Sequence, residues 1–510
     1  MHHLPVLMLT VLVTALPAAE PVKRPPNVVL ILADDLGYGD LGCYGATAVK
    51  TPRCDRLAAE ALRLTSAYCT SSTCTPSRYA LLTGEYPWRR KGTGILPGDA
   101  ALIIDPGRAT LPALLKRAGY TTGVVGKWHL GLGSREAPVD WNGEVGPGPL
   151  DIGFDHCFLM PATGDRVPCV YLRDRRVVGL DPADPIAVSY REPFPGIPTG
   201  VSARGTLKMD WDFHHNEAVV NGVGRIGWMK GGTAALWKDE DMADTLAREA
   251  VAFIEQAQGR PFFLYFATHS IHVPRVVNPR FAGATTMGPR GDAIVEFDFQ
   301  VGAVLDALDR LGLGRDTLVI VTSDNGPVLN DGYKDQAVER LGDHLPGGVY
   351  RGGKYTIFEA GCRVPFLVRW PGRITPGISD ALLSQVDLPA TLAALAGVAP
   401  AEHECPDSFT LPAALLGNDP IGRPHVIEHA NGLALRVGGW KFIQPGKSRD
   451  DLRTRDQTTT PEPGRLYDLA KDPGERTPVT DAGKLTELKA KLDALRESPG
   501  TRPGFVPPAR

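Results

Sequence analysis

The chain reads as an α/β protein, with a large, mostly parallel sheet sandwiched by helices and a smaller C-terminal α+β domain. Three observations predict this. Short continuous apolar runs alternate with segments whose apolar residues recur at helical spacing, the pattern of parallel strands covered on both faces. Polar and ionisable residues directly follow several of these runs, where open α/β sheets bind their ligands. After about Gly417 the alternation stops and short antiparallel patterns replace it.

The elements follow in order. Val28-Val29-Leu30-Ile31-Leu32 is a buried strand ending in Asp34-Asp35. Thr51-Pro52 opens a helix with a cap and a first-turn proline, and Leu57, Ala58, Ala61 and Leu62 form its apolar face. Leu111 to Ala118 is a helix closed by Gly119, and the strand Thr121 to Val125 leads into Gly126-Lys127-Trp128-His129. Asp165 to Gly232 is rich in Gly, Pro, Arg and aromatics with poor periodicity, and reads as a long insertion lining a pocket. The helix Ala243 to Gln256 precedes the strand Phe262 to Ala267, which leads into His269 and His272. The helix Val295 to Leu311 precedes the strand Thr317 to Val321, which leads into Asp324-Asn325-Gly326. Leu433 to Val437 and Lys441 to Gln444 read as antiparallel strands around Gly438-Gly439, and Lys484 to Leu495 as a final amphipathic helix.

The 510 residues predict more than one domain: a leader over 1–19, a large domain over 25–417 and an α+β unit over 419–505. Leu4 to Leu16 is almost wholly apolar and precedes Pro17-Ala18-Ala19, the pattern of a cleaved export signal, too short to span a bilayer. The expected protein is periplasmic or extracellular, with no membrane anchor after cleavage. With 55 basic and 58 acidic residues the net charge is -3, which gives no sign of a nucleic-acid partner. Eight cysteines form no C-x-x-C pair, and Cys157 with Cys169 is one bridge that sequence leaves open.

The most informative stretch is Cys74-Thr75-Pro76-Ser77-Arg78, followed by a helix-compatible run from Tyr79 to Thr83. A cysteine at a helix start sits where backbone N–H groups favour negative charge, a suitable position for attack on an anionic ester. Taken singly, Asp34-Asp35 reads as a cap and Asp324-Asn325-Gly326 as a turn. At equivalent strand ends they read together as an all-oxygen site for a hard cation, calcium or magnesium. Lys127 and Lys354, the latter after Gly352-Gly353, are candidate anion binders. His129 and His272 are candidate proton carriers near neutral pH. His214-His215 falls in the insertion, where substrate contact fits better than catalysis.

With these motifs in this order, and with Leu466-Tyr467-Asp468-Leu469, Asp472-Pro473 and Glu475 near the C-terminus, the chain resembles the type I sulfatases of the alkaline-phosphatase-like superfamily from Asn27 to about Asp472. The resemblance implies that a separate formylglycine-generating maturation enzyme oxidises Cys74 to formylglycine. Hydration then gives a geminal diol. One hydroxyl attacks sulfur and the other expels sulfate from the bound half-ester. It further implies that Asp34, Asp35, Asp324, Asn325 and the modified Cys74 form the metal site, for calcium more than magnesium. Arg78 holds the modified residue, while Lys127 and Lys354 neutralise the sulfuryl group. His272 protonates the leaving oxygen with Lys354, and His129 takes a proton during sulfate release. Family members often carry proline where Ser270-Ile271 stands here, so His269 is either a substrate contact or a packed side chain.

The expected activity is hydrolysis of a sulfate ester on a carbohydrate. The insertion supplies the grip, and the segment Met160 to Arg166, with Asp165 and Arg166, is a specificity candidate. Two alternatives stand beside it: a phosphonate or phosphate ester hydrolase using the same modified cysteine, and a carbohydrate-binding pseudoenzyme whose Cys74 stays a thiol.

Overall fold

The computed structural model describes residues 25–447, 450–451 and 456–508; the leader assigned to 1–19 lies outside the described residues. A ten-stranded sheet forms the centre, in the order Gly377–Ser379, Leu62–Leu64, Phe366–Arg369, Thr317–Ser323, Asn27–Ala33, Phe262–Ala267, Thr121–Lys127, His156–Met160, Leu172–Arg173, Arg176–Val177. The five strands from Thr317–Ser323 to His156–Met160 run parallel. Antiparallel pairings appear toward both edges. Every residue of Asn27–Ala33, Phe262–Ala267 and Thr317–Ser323 is buried. That explains their unbroken apolar runs, since each such side chain withdrawn from water contributes about 1.5–3 kcal/mol.

Two groups of helices pack on the sheet. Pro52–Ala59, Met242–Gln256 and Pro289–Arg310 form one, while Cys74–Thr83, Leu111–Arg117 and Leu388–Leu395 form the other. Pro289–Arg310 starts six residues earlier than periodicity suggests, because Asp292 accepts hydrogen bonds from the Gly283 and Thr285 amides and anchors a first turn with no apolar face. Thr51 does not cap the helix Pro52–Ala59. Its hydroxyl accepts from the Gly42 amide and donates to Asp55.

The insertion is less irregular than its composition suggests. Leu172–Arg173 and Arg176–Val177 form a hairpin that extends the sheet edge, too short to leave a periodic signature. Cys157 and Cys169 are not bridged. All eight cysteines are free, and these two thiols face the carbonyls of Asp174 and Arg166 instead. A second, four-stranded antiparallel sheet follows, in the order Val426–His429, Leu433–Val437, Trp440–Ile443, Arg465–Asp468. The helix Ala482–Glu497 lays Leu488 and Leu492 against Leu435, Phe442 and Leu466 of this sheet. Among the described residues no helix is long and apolar enough to cross a membrane.

Candidate active site

Register decides where the site lies. Leu32 pairs with Ala267 and Ala33 with Ser323, while Gly126 pairs with Ala267 and Lys127 with Met160. The parallel strands therefore end level, and their following residues emerge on one edge. The pairing continues past the ends: the Asp324 amide donates to the Ala33 carbonyl at 3.1 Å, and the Asp34 amide to Ser270 at 3.2 Å. Asp34, Asp35, Lys127, His269, His272, Asp324 and Asn325 thus gather without side-chain search.

Cys74 is the first residue of the wholly buried helix Cys74–Thr83, aimed at this edge. Its Sγ and one carboxylate oxygen each of Asp34 and Asp324 lie within 4.8 Å of one another. Two ties hold the helix start. The Ser72 amide donates to the His429 carbonyl at 2.9 Å, and the Thr75 hydroxyl donates to the His129 carbonyl at 3.0 Å. Burial pushes the Cys74 thiol up, against Lys127 and Lys354, so the unmodified side chain is a neutral, poor nucleophile.

Arg78, one turn on, donates from Nε to Asp324 Oδ2 at 2.8 Å and from Nη1 to the Lys127 carbonyl at 3.0 Å. Lys127 Nζ donates to Asp34 Oδ2 at 2.6 Å. Lys354 Nζ donates to Asp35 Oδ2 and to Asp331 Oδ2, both at 2.9 Å. Burial pushes Asp34 well above the usual carboxylate range despite Lys127, and raises Asp35 despite Lys354. Asp324 is also buried, yet Arg78, Lys127 and Lys354 together hold it below that range. The three cations thus do not offset the burial of Asp34 and Asp35, and the cluster is short of positive charge.

That shortfall fits a further cation. Asp34 Oδ1 and Asn325 Oδ1 are buried acceptors with no hydrogen-bond partner among the described residues, while Asn325 Nδ2 donates to Asp35 Oδ1 at 2.8 Å and fixes the amide so that its oxygen faces away. Three carboxylates and one amide oxygen make a donor set whose chemistry suits a hard divalent ion.

The histidines are set differently. His129 places Nε2 2.9 Å from the Leu96 carbonyl, which assigns the proton to Nε2 and leaves Nδ1 without a partner. Burial, then Lys127 and Arg166, hold it well below the usual imidazole range, so it is a neutral base. His272 Nδ1 lies 2.7 Å from the Val273 carbonyl and 3.2 Å from the Thr163 hydroxyl, so Nε2 is directed toward Asp35 at 3.8 Å. Burial and Lys354 keep it neutral too. His269 is buried with neither ring nitrogen hydrogen-bonded among the described residues, and burial lowers it to about 4. A Cβ on Gly164 would lie 2.5 Å from its ring, so the segment Met160 to Arg166 packs directly on this imidazole.

Asp165 and Arg166 pair with each other at 2.9 Å, and His215 Nε2 lies 2.9 Å from Asp165 Oδ2. Asp165 is buried, yet Arg166 and His215 hold it well below the usual range. His215 thus joins the site from within the insertion. Asp331 was not visible in sequence at all; it is an aspartate in a loop whose only cue is its distance from Lys354. Besides Lys354 it accepts from the Tyr355 hydroxyl at 2.9 Å.

A mostly parallel sheet whose edge carries a helix-start cysteine, a carboxylate cluster and two buried lysines defines an ester hydrolase of the alkaline-phosphatase-like class. Residues 26–398 match the Sulfatase family, and the chain belongs to it: it is a sulfatase. It is 48% identical over 483 residues to an N-acetylgalactosamine-6-O-sulfatase of Bacteroides thetaiotaomicron, covering 94% of each chain. It is 37% identical over 517 residues to human Arylsulfatase A, covering 95% of this chain and 91% of that one. A solved structure concerned with the metabolism of multiple glycosaminoglycans by Bacteroides thetaiotaomicron superposes with a TM-score of 0.91 at 47% identity, over 93% of this chain and 100% of that one.

Proposed function

We propose that this sulfatase hydrolyses a sulfate ester on a carbohydrate, with the 6-O-sulfate of N-acetylgalactosamine as the first substrate to test. The observation that carries the reading is the meeting of Cys74 Sγ with Asp34 and Asp324 oxygens within 4.8 Å, beside Lys127 and Lys354. The 48% identity to an N-acetylgalactosamine-6-O-sulfatase supports the choice of sugar.

In this reading a maturation enzyme converts Cys74 to formylglycine, whose hydrate supplies the nucleophile and the route for sulfate release. Asp34, Asp35, Asp324 and Asn325 would hold calcium, which when bound would supply Lewis-acid polarisation at a sulfate oxygen. Arg78 fixes the orientation of residue 74 through its grip on Asp324 and the Lys127 carbonyl. Lys127 and Lys354 face the sulfuryl group and stabilise the charge that grows on it. His129 receives a proton at Nδ1 during release, because its other nitrogen is already committed to Leu96. His272, with Lys354, delivers a proton to the leaving oxygen from Nε2. The anionic substrate raises its proton affinity above that of the free enzyme. Asp165, Arg166 and His215 contact sugar hydroxyls, with His269 behind them. The leader over 1–19 exports the protein to the periplasm or beyond.

The test is sulfate release from defined 6-sulfated and 4-sulfated N-acetylgalactosamine, galactose and N-acetylglucosamine, by protein in which mass spectrometry has verified formylglycine at position 74. Turnover of a 6-sulfated sugar supports the proposal. Cleavage of an aryl phosphodiester in place of every sulfate ester sinks it, as does an unmodified thiol at position 74 in protein from the natural host.

A further inference from the structure

Outside the cluster around Cys74, Lys441 Nζ is enclosed by three glutamates. It lies 3.1 Å from Glu359 Oε1, 3.0 Å from Glu428 Oε1 and 3.2 Å from Glu475 Oε1, and all four side chains are fully buried. Glu359 also accepts from the Tyr68 hydroxyl at 2.6 Å and from Arg363 at 3.1 Å, while Arg436 reaches the same Tyr68 hydroxyl. Removing so many charges from water is costly, and an apolar core of equal volume is often as stable. Stability alone therefore does not account for the cluster.

Its connections do. Glu359 opens the short helix Glu359–Cys362 directly after the loop that bears Lys354. Glu475 accepts from the Glu359 amide at 2.5 Å, and its carbonyl accepts from Arg351 at 3.2 Å, so one residue of the C-terminal motif holds both ends of that loop. Inside the loop, the Tyr355 amide donates to the Ser72 carbonyl at 2.9 Å, two residues before Cys74. Glu428 precedes His429, whose backbone exchanges hydrogen bonds with Thr70 at 3.1 Å and Ser72 at 2.9 Å. Glu428 and Lys441 sit on two strands of the small sheet, Glu475 in the segment after its last strand, and Glu359 on the short helix Glu359–Cys362. These bonds connect Lys441 to the backbones on either side of Cys74 and Lys354.

We infer that Lys441, held by Glu359, Glu428 and Glu475, is a positioning centre through which the C-terminal sheet sets Lys354 against the nucleophile. The inference rests on the proposed part of Lys354 in sulfuryl transfer. A buried charge cluster suits this task because each ion pair is directional and none can slide without leaving a charge unpaired. Displacement of Lys354 by a fraction of an ångström weakens transition-state stabilisation more than substrate binding.

The test is a double-mutant cycle on the matured full chain with 4-nitrophenyl sulfate, rates being normalised to formylglycine content. Lys441→Met is expected to lower kcat about tenfold while KM stays within about twofold. In a Lys354→Ala background the same change is expected to alter kcat by less than about twofold, because the residue being positioned is gone. An equal tenfold loss in both backgrounds, or no loss in the parent, overturns the inference. Should Lys441→Met not fold, Glu475→Gln taken through the same cycle decides. Full kcat in Lys354→Ala alone refutes the proposed role of Lys354 instead, whereas a Lys354-dependent rate indifferent to Lys441 refutes only the positioning centre.

Discussion

Arg78 and Asp324 stand 246 positions apart in the chain, yet the guanidinium Nε donates to the carboxylate at 2.8 Å. The contact joins the helix that presents Cys74 to the strand end that presents the proposed cation ligands. Both side chains are fully buried, so neither is free to leave without stranding the other's charge.

Replacing Cys74 by Ala is expected to abolish turnover, by about 10⁴-fold or more, as for other removed nucleophiles. The side chain is small and lies among polar groups, so the fold should persist. Sulfate release and a thermal melt on the same sample check both halves, and full activity in the variant would refute the nucleophile assignment.

Chelation is expected to stop activity and calcium to restore it, with magnesium a poorer substitute because it demands six short, near-octahedral bonds. Asp324→Asn should weaken calcium affinity about tenfold or more, since one anionic donor is lost and Arg78 loses its partner. Calorimetric titration of calcium into chelator-treated protein reads this without reference to turnover. Undiminished affinity in Asp324→Asn would count against the four-oxygen site.

Asp165→Ala is expected to reduce kcat/KM for a sulfated saccharide about 10–100-fold, the cost of a lost buried sugar contact. For 4-nitrophenyl sulfate, which carries no sugar hydroxyls, the change should stay within about threefold. An equal loss on both substrates would place Asp165 in support of His272 rather than in recognition.

His425 supplies a pH prediction away from the catalytic groups. Burial, followed by Arg423 and Lys491, lowers it from the usual imidazole value to about 3. Between that value and the unfolded value of about 6.5, the unfolded chain binds a proton that the folded chain refuses. Its contribution to stability is therefore complete above about pH 6.5 and is lost as pH falls toward 3. His425→Gln should narrow the difference in unfolding free energy between pH 7 and pH 4.5 by roughly 2 kcal/mol. Parallel urea titrations of both proteins measure it, and an unchanged difference would refute a buried neutral His425.

Much of the fold was legible because the central strands are buried on both faces. Val28 to Leu32, Phe262 to Ala267 and Thr317 to Val321 announce themselves as unbroken apolar runs, and the residues after them share an edge once the runs are parallel. The hairpin Leu172–Arg173 with Arg176–Val177 was not legible, since two-residue strands carry no period. Asp331 was missed, and the pairing of His215 with Asp165 was not foreseen, for a related reason. Each lies in irregular chain, and each matters only through a partner, Asp165 or Lys354, that folding brings to it.

Local order along the chain determined the α/β class, the C-x-P-x-R segment and the carboxylates waiting at strand ends, because burial and backbone geometry act on neighbouring residues. Tertiary structure alone decided which atoms face one another: the Asp34 and Asn325 oxygens and the His129 Nδ1 that have no hydrogen-bond partner among the described residues, and the ring of glutamates about Lys441. Such pairings depend on register and on packing between segments hundreds of residues apart, and a one-dimensional pattern carries no distance across that gap.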